Sequence, residues 1–350
     1  MKILSCFDGI SCARVALERV GIPVKAYYAS EVDKYAIQIA QKNYPDTVQL
    51  GNVKDIDCTG GKLHFGMGRL AETDIDLMIG GSPCQDLSIA KKDRKGLDGE
   101  RSGLFWEYVR ILKEVKPKYF ILENVNSMPK EAKQIITETL GVEPIMINAA
   151  LVSAQNRKRL FWTNIPNVTQ PEDKGILLKD ILENYVGDEY VINPKMMNYK
   201  GSNKKSVTIT ATSYKEPPKV IRIGQIGKGG QSGGVYSPGA KSVGLSALGG
   251  GRGAKTGLYA VALRNRGEGK KPEVGGGKAN AMTTVQTDNM VMENSIIRKL
   301  TPIECERLQS LPDNYTEGVS NSQRYKMLGN AFNVDVVSHI LSFLSPTAKN

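Results

Sequence analysis

Histidine is close to absent from this 350-residue chain: His64 and His339 are the only two, and neither stands near a cysteine or an acidic cluster. That argues against a zinc site. Cysteine is sparse as well. Cys6, Cys12, Cys58, Cys84 and Cys305 are odd in number and form no CxxC pair. This points away from a disulfide framework and toward reduced thiols in a cytosol-like compartment. No apolar run approaches the roughly 18 residues of a membrane span. The opening Met1-Lys2-Ile3-Leu4-Ser5-Cys6-Phe7 is too short an apolar stretch for a secretory signal, and Asp8 interrupts it. The acids are not clustered at the spacing a metal-dependent nuclease requires. These absences lead to a cytoplasmic protein with no membrane partner and no metal.

What is abundant is positive charge in one place. The formal net charge is +11. Between Gly201 and Ser295 there are 14 Lys or Arg against 5 Asp or Glu, while the rest of the chain holds 33 against 31. The same window carries 19 of the 36 glycines. A basic, glycine-rich module suits a polyanion, although a solvated loop-rich insertion has the same composition. Inside it, Lys205–Ala211, Lys241–Ala247 and Lys278–Thr284 align without gaps, their starts 36 and 37 residues apart. Each alternates an apolar residue with a small or hydroxylated one, the period of a half-buried strand.

The first 165 residues read differently, as short β-branched runs alternating with amphipathic stretches. Strands are expected at Lys2–Cys6, Val24–Ala29, Asp76–Ile79, Tyr119–Leu122, Pro144–Asn148 and Leu160–Asn164. Helices are expected at Cys12–Val20, Lys34–Asn43, Gly103–Val115 and Glu131–Leu140. That alternation predicts an α/β fold with a doubly wound sheet. After Pro166 the pattern dissolves, and it resumes at Leu300, where Thr301, Pro302 and Glu304 have the spacing of a helix cap. A last helix near Asn333–Leu344 carries Val334, Val337, Ile340, Leu341 and Leu344 on one face, so it is expected to pack back on the first domain. The expected organisation is a core at 1–168, an inserted basic, mostly β and loop domain at 169–295, and a return to the core at 296–350.

The chemistry sits at expected strand ends. Gly80-Gly81-Ser82-Pro83-Cys84-Gln85 follows the apolar run Ile75–Ile79, putting a thiol on a tight turn, and Tyr119–Leu122 ends in Glu123-Asn124-Val125. In an open α/β sheet, a ligand lies at that carboxyl edge. Burial as an inert thiol is the ordinary fate of cysteine, and Cys6 and Cys58 fit it. Asp86–Arg101 is polar and rich in Lys, Arg and Gly, and reads as a loop able to close over a substrate. Phe7-Asp8-Gly9-Ile10 lies between the first strand and helix, Glu31 follows the second strand, and Asn52 ends the third unit. A Gly turn, an acid for ribose hydroxyls and a side chain for an adenine edge make a nucleoside cofactor site without GxGxxG spacing. At strand spacing Gln155, Arg157 and Arg159 share a face.

Gly-Gly-Ser-Pro-Cys-Gln, Glu-Asn-Val, Gln-x-Arg-x-Arg and Gly329-Asn330-Ala331 together resemble, in order, four motifs of the DNA (cytosine-5) methyltransferases. Phe7-x-Gly9 resembles the family's cofactor motif, and Leu300–Leu308 the segment before its last one. The likeness covers about 1–165 and 296–350, and the basic window falls where the family carries its target recognition domain. Phe7-Asp8-Gly9-Ile10 and Leu160-Phe161-Trp162-x-Asn164 are also similar to the animal de novo subgroup. The resemblance implies a Rossmann-like S-adenosylmethionine-dependent methyltransferase sheet with S-adenosyl-L-methionine as cofactor and double-stranded DNA as partner. It further implies a bacterial or phage enzyme acting as a monomer on the nucleoid, and leaves a restriction endonuclease counterpart open.

By resemblance, Cys84 attacks C6 of a flipped cytosine, Glu123 holds its N3 and amine, Arg159 meets O2, and Arg157 contacts a phosphate or loop. Cofactor contacts map to Phe7, Gly9, Ile10, Glu31, Val32, Asn52, Val53, Gly81, Pro83, Leu104, Asn330 and Ala331. Substrate contacts map to Gln85, Ser88, Gln155, Arg252, Lys255, Arg264, Arg266, Thr283 and Thr284, with Lys204, Lys205 and Arg222 as further phosphate ligands. Two departures stand out: Ser11-Cys12 where the family often has more glycine, and Asn52 where it often has Asp. An RNA-directed enzyme of the same fold shares the catalytic motifs but lacks a long basic domain. A catalytically silent DNA-binding paralogue typically loses the Pro-Cys pair or the Glu, both kept here as Pro83-Cys84 and Glu123.

Overall fold

The computed structural model describes residues 1–59, 62–66, 69–72, 74–82, 103–183, 186, 191–192, 200–201, 222–225, 234–236, 242–243, 258–264, 273–274, 295–298 and 300–344. These fall into two compact units, one of Met1–Asn148, Lys158–Pro171 and the chain from Ala331, the other of Ala149–Arg157 and Glu172–Asn330. The expected crossing at 168 lies beside the observed one at 171. Residues 296–330, expected to return with the core, cluster instead with the second unit, and so does the short segment 149–157.

In chain order the first strands are β1 Lys2–Cys6, β2 Ala26–Ser30, β3 Val48–Gln49, β4 Asp57–Thr59, β5 Lys62–Phe65, β6 Arg69–Glu72, β7 Leu77–Gly80, β8 Tyr119–Val125, β9 Ile145–Asn148, β10 Gln155–Asn156 and β11 Lys158–Thr163. The helices among them are α1 Cys12–Arg19, α2 Lys34–Asn43, α3 Leu104–Val115 and α4 Lys130–Leu140. The elements expected over the first 165 residues are thus present, with ends shifted by a few residues. β3 and β10 are two-residue strands, too short to leave a periodic signal. The small antiparallel sheet β4-β5-β6 was not expected either, and its Leu63 and Phe65 join the core of the first unit.

Seven strands form the central sheet in the order β3-β2-β1-β7-β8-β11-β9. β2 and β7 both pair in parallel with β1, β8 pairs in parallel with β7, and only β11 runs antiparallel to its neighbours. Chain order therefore reverses between β1 and β7, and the crevice outside their carboxyl ends is where such sheets bind ligands. β7 is buried at every position, and Leu4, Met78, Leu122 and Trp162 from four adjacent strands are buried in one core. Strands covered on both faces are apolar throughout, which is why these runs were legible.

Helix ends follow local chemistry. Asp33 caps α2 by accepting from the backbone N–H groups of Tyr35 and Ala36. α4 ends at Gly141, whose φ of +69° is the left-handed stop. Helix α7, Val334–Ser342, belongs to the first unit. Its cap Asn333 accepts from Val336 N, and it lies against α1, with Ser338 Oγ donating to Ala16 O and Arg19 ion-paired to Asp335. The C-terminal helix does return to the first domain.

In the second unit, β12 Val191–Ile192, β13 Lys200–Gly201, β14 Arg222–Gln225, β15 Gly234–Tyr236, β16 Ser242–Val243, β17 Leu258–Arg264, β18 Glu273–Val274 and β19 Ser295–Arg298 supply most of the described strands. Six of them order as β12-β19-β17-β15-β14-β13, and β10 pairs with β16. Two of the three aligned repeats, at 205–211 and 278–284, lie outside the described residues, and of the third only β16 and its neighbours' pairing are defined. Helix α5, Pro302–Leu308, starts at the expected Thr301–Glu304 capping box. Helix α6, Asn321–Asn330, is largely polar and buries only Tyr325, Met327, Leu328 and Gly329, so its periodicity was weak. Among the described residues no helix is long and apolar enough to cross a membrane.

Candidate active site

The turn from β1 to α1 is built from backbone that L-residues avoid. Phe7, Gly9 and Ser11 have φ of +59°, +61° and +60°. Space is open around Gly9, so conformation, not crowding, calls for glycine there. Glu31, at the end of β2, reaches this turn. Its Oε2 accepts from Gly9 N at 2.8 Å, and its Oε1 accepts from Val32 N at 2.7 Å and Asp33 N at 2.9 Å. A carboxylate with this many acceptor sites can exchange such amides for a ligand's hydroxyls. Next to it the side chain of Val32 is 70% exposed, an apolar face open to a planar group. Asn52 caps the short 3₁₀ turn Val53–Asp55, its Oδ1 accepting from Lys54 N at 3.1 Å. Ile10 and Val53 are buried.

Across the switch point, β7 ends in Gly80 and Gly81. A Cβ on Gly80 would lie 2.9 Å from Cys6 O and 3.0 Å from the ring of Tyr108. A Cβ on Gly81 would lie 2.7 Å from Cε1 of Phe332 and 3.2 Å from Oε2 of Glu123. The glycines therefore let a ring and a carboxylate close on the end of the strand. Glu123 is held by Arg159, whose Nε is 2.8 Å from Oε1; both side chains are largely but not wholly buried. Arg159 faces Val125 across the β8–β11 ladder, because the antiparallel β11 begins where β8 ends. Asn124, on the opposite face from Glu123, is 1% exposed and donates Nδ2–H to Ser82 Oγ at 3.1 Å while accepting from Val125 N. It anchors the residue to which Pro83 and Cys84 are joined.

The structure thus brings Gly9 to Glu31, and Glu123 to Arg159 and Gly81. Leu104 opens α3 and Ala331 precedes Phe332 in the same unit. Gln155, Arg157 and Asn330 belong to the other unit. There Gln155 is fully buried with Nε2 donating to Leu308 O, and Arg157, 5% exposed, donates Nη2–H to Gly329 O at 3.2 Å. Asn330 is exposed at the end of α6. Arg157 is thus tied to the motif around Gly329-Asn330 in this structure, where a phosphate or loop contact was expected. Pro83, Cys84, Gln85, Ser88, the Asp86–Arg101 loop, Lys204, Lys205, Arg252, Lys255, Arg266, Thr283 and Thr284 lie outside the described residues. Arg222 and Arg264 are placed by their backbone, at the start of β14 and the end of β17.

Phe332, Asn124 and Asp8 shape this edge and were not singled out from sequence. The first follows a motif residue directly; a polar side chain within a buried strand was the available signal for Asn124. Burial pushes the thiols of Cys6 and Cys305 well up, and Cys58 is raised to about 12 by burial and by Glu114. Each shift disfavours the thiolate, the form a nucleophilic cysteine needs.

Residues 1–345 match the family described as C-5 cytosine-specific DNA methylase. The type II methyltransferase M.HhaI of Haemophilus parahaemolyticus is 27% identical, over 97% of this chain and 93% of its own length. The orphan methyltransferase M.SPRI of Bacillus phage SPR is 27% identical, over 100% of this chain and 98% of its own. Among solved structures, the Entamoeba histolytica methyltransferase EhMeth superposes with a TM-score of 0.65 at 16% identity, covering 100% and 99% of the two chains. The S. pombe Dnmt2 methyltransferase does so with a TM-score of 0.60 at 16% identity, covering 100% of each. At those identities the likeness is one of fold. The chain belongs to the C-5 cytosine-specific DNA methylase family and is a DNA (cytosine-5) methyltransferase.

Proposed function

We propose that the protein methylates carbon 5 of a cytosine swung out of duplex DNA at a specific sequence, through a covalent bond between Cys84 and C6. The observation that carries this reading is the Glu123–Arg159 pair at 2.8 Å, set against Gly81 two residues before Pro83-Cys84. A buried duplex base cannot be reached, so the cytosine leaves the stack at a cost of a few kcal/mol. The basic segment and the polar stretch Asp86–Arg101 are the parts available to offset it. Phosphate contacts from residues such as Arg252, Lys255, Arg264 and Arg266 supply affinity that falls with salt, while base-edge contacts choose the site.

The Cys84 thiolate gives its electron pair to C6, and electron density moves toward C5 and N3. Glu123 hydrogen-bonds N3 and the exocyclic amine, so that the charge moving to N3 is met by a proton there; Arg159 faces O2 and keeps that carboxyl in place. S-adenosylmethionine, when bound, would supply the electrophilic methyl group that C5 takes, the S–CH3 bond breaking with its electron pair left on the sulfur as a neutral thioether. A base then removes the C5 proton, the C5–C6 double bond re-forms and the C6–S bond breaks, releasing Cys84. The residues present fit that cofactor: Glu31 offers acceptors for ribose hydroxyls, Val32 an apolar face, and Asn52 an amide at the adenine edge. Its Oδ1 already accepts from Lys54 N but has a second lone pair, so replacement of the family's frequent Asp leaves an acceptor.

The test is incubation of purified protein with S-adenosylmethionine and unmethylated genomic DNA, followed by base-resolution sequencing of 5-methylcytosine. One short motif modified throughout is expected, with Cys84→Ala binding DNA but inactive. Methyl transfer by Cys84→Ala would overturn the covalent route, and incorporation into RNA with none into DNA would overturn the DNA substrate.

A further inference from the structure

The β1–α1 turn holds a buried carboxyl that the reaction does not use. Asp8 is 6% exposed. Its Oδ2 accepts from Ser11 Oγ at 2.5 Å, and its Oδ1 accepts from the hydroxyl of Tyr27 at 2.7 Å. Tyr27 is fully buried in β2. The main chain repeats the attachment: Asp8 N donates to Ser30 O at 3.1 Å, and Ser11 N donates to Asp8 O at 3.2 Å. One residue therefore ties the turn both to the neighbouring strand and across itself.

Two features show what this network is for. Phe7 and Ser11 carry Cβ atoms yet are left-handed, so the turn persists only if its surroundings hold it. Ser11 also occupies the N-cap of α1, where a serine hydroxyl ordinarily accepts from the helix's first N–H groups. It makes no side-chain cap bond here, because the hydroxyl is turned to Asp8. A local rule for helix stability is broken in favour of the turn, the pattern expected at a functional site. From the opposite side Glu31 holds Gly9 N, and that carboxylate is the group a ribose would recruit.

We infer that Asp8 is a positioning residue for the methyl donor: through Ser11 and Tyr27 it keeps the Phe7–Ser11 turn in its binding shape when Glu31 turns to the ligand. The inference rests on the reading of this turn as the S-adenosylmethionine site. Without Asp8 the turn must be re-formed at each binding event, so the loss falls on cofactor affinity and leaves the reacting groups alone.

Titration calorimetry with S-adenosylmethionine and steady-state methyl transfer test it on the full chain. Asp8→Ala is expected to raise both the cofactor Kd and the cofactor KM about tenfold or more, with kcat at saturating cofactor and the KM for DNA within about twofold. Ser11→Ala and Tyr27→Phe each shift Kd in the same direction by less. Asp8→Asn restores binding to within a few-fold, since the amide accepts from Tyr27 and donates to the Ser11 oxygen. Unchanged cofactor Kd in Asp8→Ala overturns the inference, as does a lowered kcat with unchanged KM, the mark of a purely structural role. If Asp8→Ala shows no cooperative melting, Ser11→Ala and Tyr27→Phe decide, and unchanged Kd in both overturns it. Failure of the wild-type protein to bind S-adenosylmethionine refutes the cofactor reading instead.

Discussion

Replacing Gly81 by alanine would place a methyl group 2.7 Å from Cε1 and 3.2 Å from Cζ of Phe332, and 3.2 Å from Oε2 of Glu123. Carbon atoms pack at about 3.5–4.0 Å, so the ring must retreat by roughly 1 Å. Phe332 is half-buried and the clash is at the far end of its side chain, so it can swing. Glu123 has less freedom, because Arg159 grips its other oxygen at 2.8 Å. Overpacking of this kind costs about 1–3 kcal/mol. For a 350-residue chain that lowers Tm by about 1–4 °C. The larger effect is on chemistry: displacement of a reacting carboxyl by up to about 1 Å costs as much as 10²-fold, so kcat should fall about tenfold to a hundredfold. Transfer of tritiated methyl groups to DNA measures kcat, and scanning calorimetry measures Tm. Adding Phe332→Ala removes the obstructing ring, so the double-mutant cycle should show a favourable coupling of about 1–3 kcal/mol. Wild-type kcat in Gly81→Ala, or strict additivity in the cycle, would refute the packing argument.

Gly80→Ala should behave in the opposite way, losing stability before activity. Its Cβ meets the β1 backbone at Cys6 O and the buried Tyr108 ring, neither of which can give way, so a loss of about 3 kcal/mol or more is expected by denaturant unfolding. Arg324→Met leaves Glu306, which is 0% exposed, without the guanidinium 2.8 Å away. The carboxylate keeps the N–H groups of Asn314 and Thr316, so a loss near 3 kcal/mol is expected, and one below about 1 kcal/mol in urea unfolding contradicts it. Burial lifts the Asp8 carboxyl above the ordinary range against the pull of the hydroxyls on it. A raised carboxyl pKa contributes stability that is present at low pH and lost as pH rises through the elevated value. Asp8→Asn does not titrate, so its stability relative to wild type should improve as pH rises from the ordinary carboxylate range through the raised value; a pH-independent difference in unfolding free energy would show that Asp8 has no shifted pKa.

Much of the candidate site was legible because its residues sit at the ends of apolar runs. β7 and β8 are buried on both faces and read as continuous hydrophobic segments, so Gly80-Gly81 and Glu123 were placed at strand ends from sequence alone. Glu31 and the Phe7–Gly9 turn followed from the same alternation. Arg159 was placed beside Glu123 by motif, and the antiparallel β11 gives the geometric cause. What escaped had no periodic signal. The two-residue β3 and β10 are too short to show a period, while the β4-β5-β6 sheet and the polar α6 bury few apolar side chains, such as Leu63 and Phe65 in the one and Tyr325, Met327 and Leu328 in the other. The capping box at Thr301 marks a helix start but not its neighbours, and Glu304 bonds the backbone of Glu183 within the second unit.

The sequence by itself determined the alternation of strands and helices, the helix caps at Asp33, Thr301 and Asn333, and the chemistry of the motif residues, because each depends on neighbours a few positions away. Only the tertiary structure decided the strand order that sets β1 beside β7, the antiparallel entry that brings Arg159 to Glu123, and the close approach of Phe332 to Gly81. It also decided that the Ser11 hydroxyl serves Asp8 and not the N–H groups of its own helix, and that Arg157 is bound to Gly329. Those outcomes join residues far apart in the chain, and a polar group's choice of partner depends on which competitor burial brings within about 3 Å.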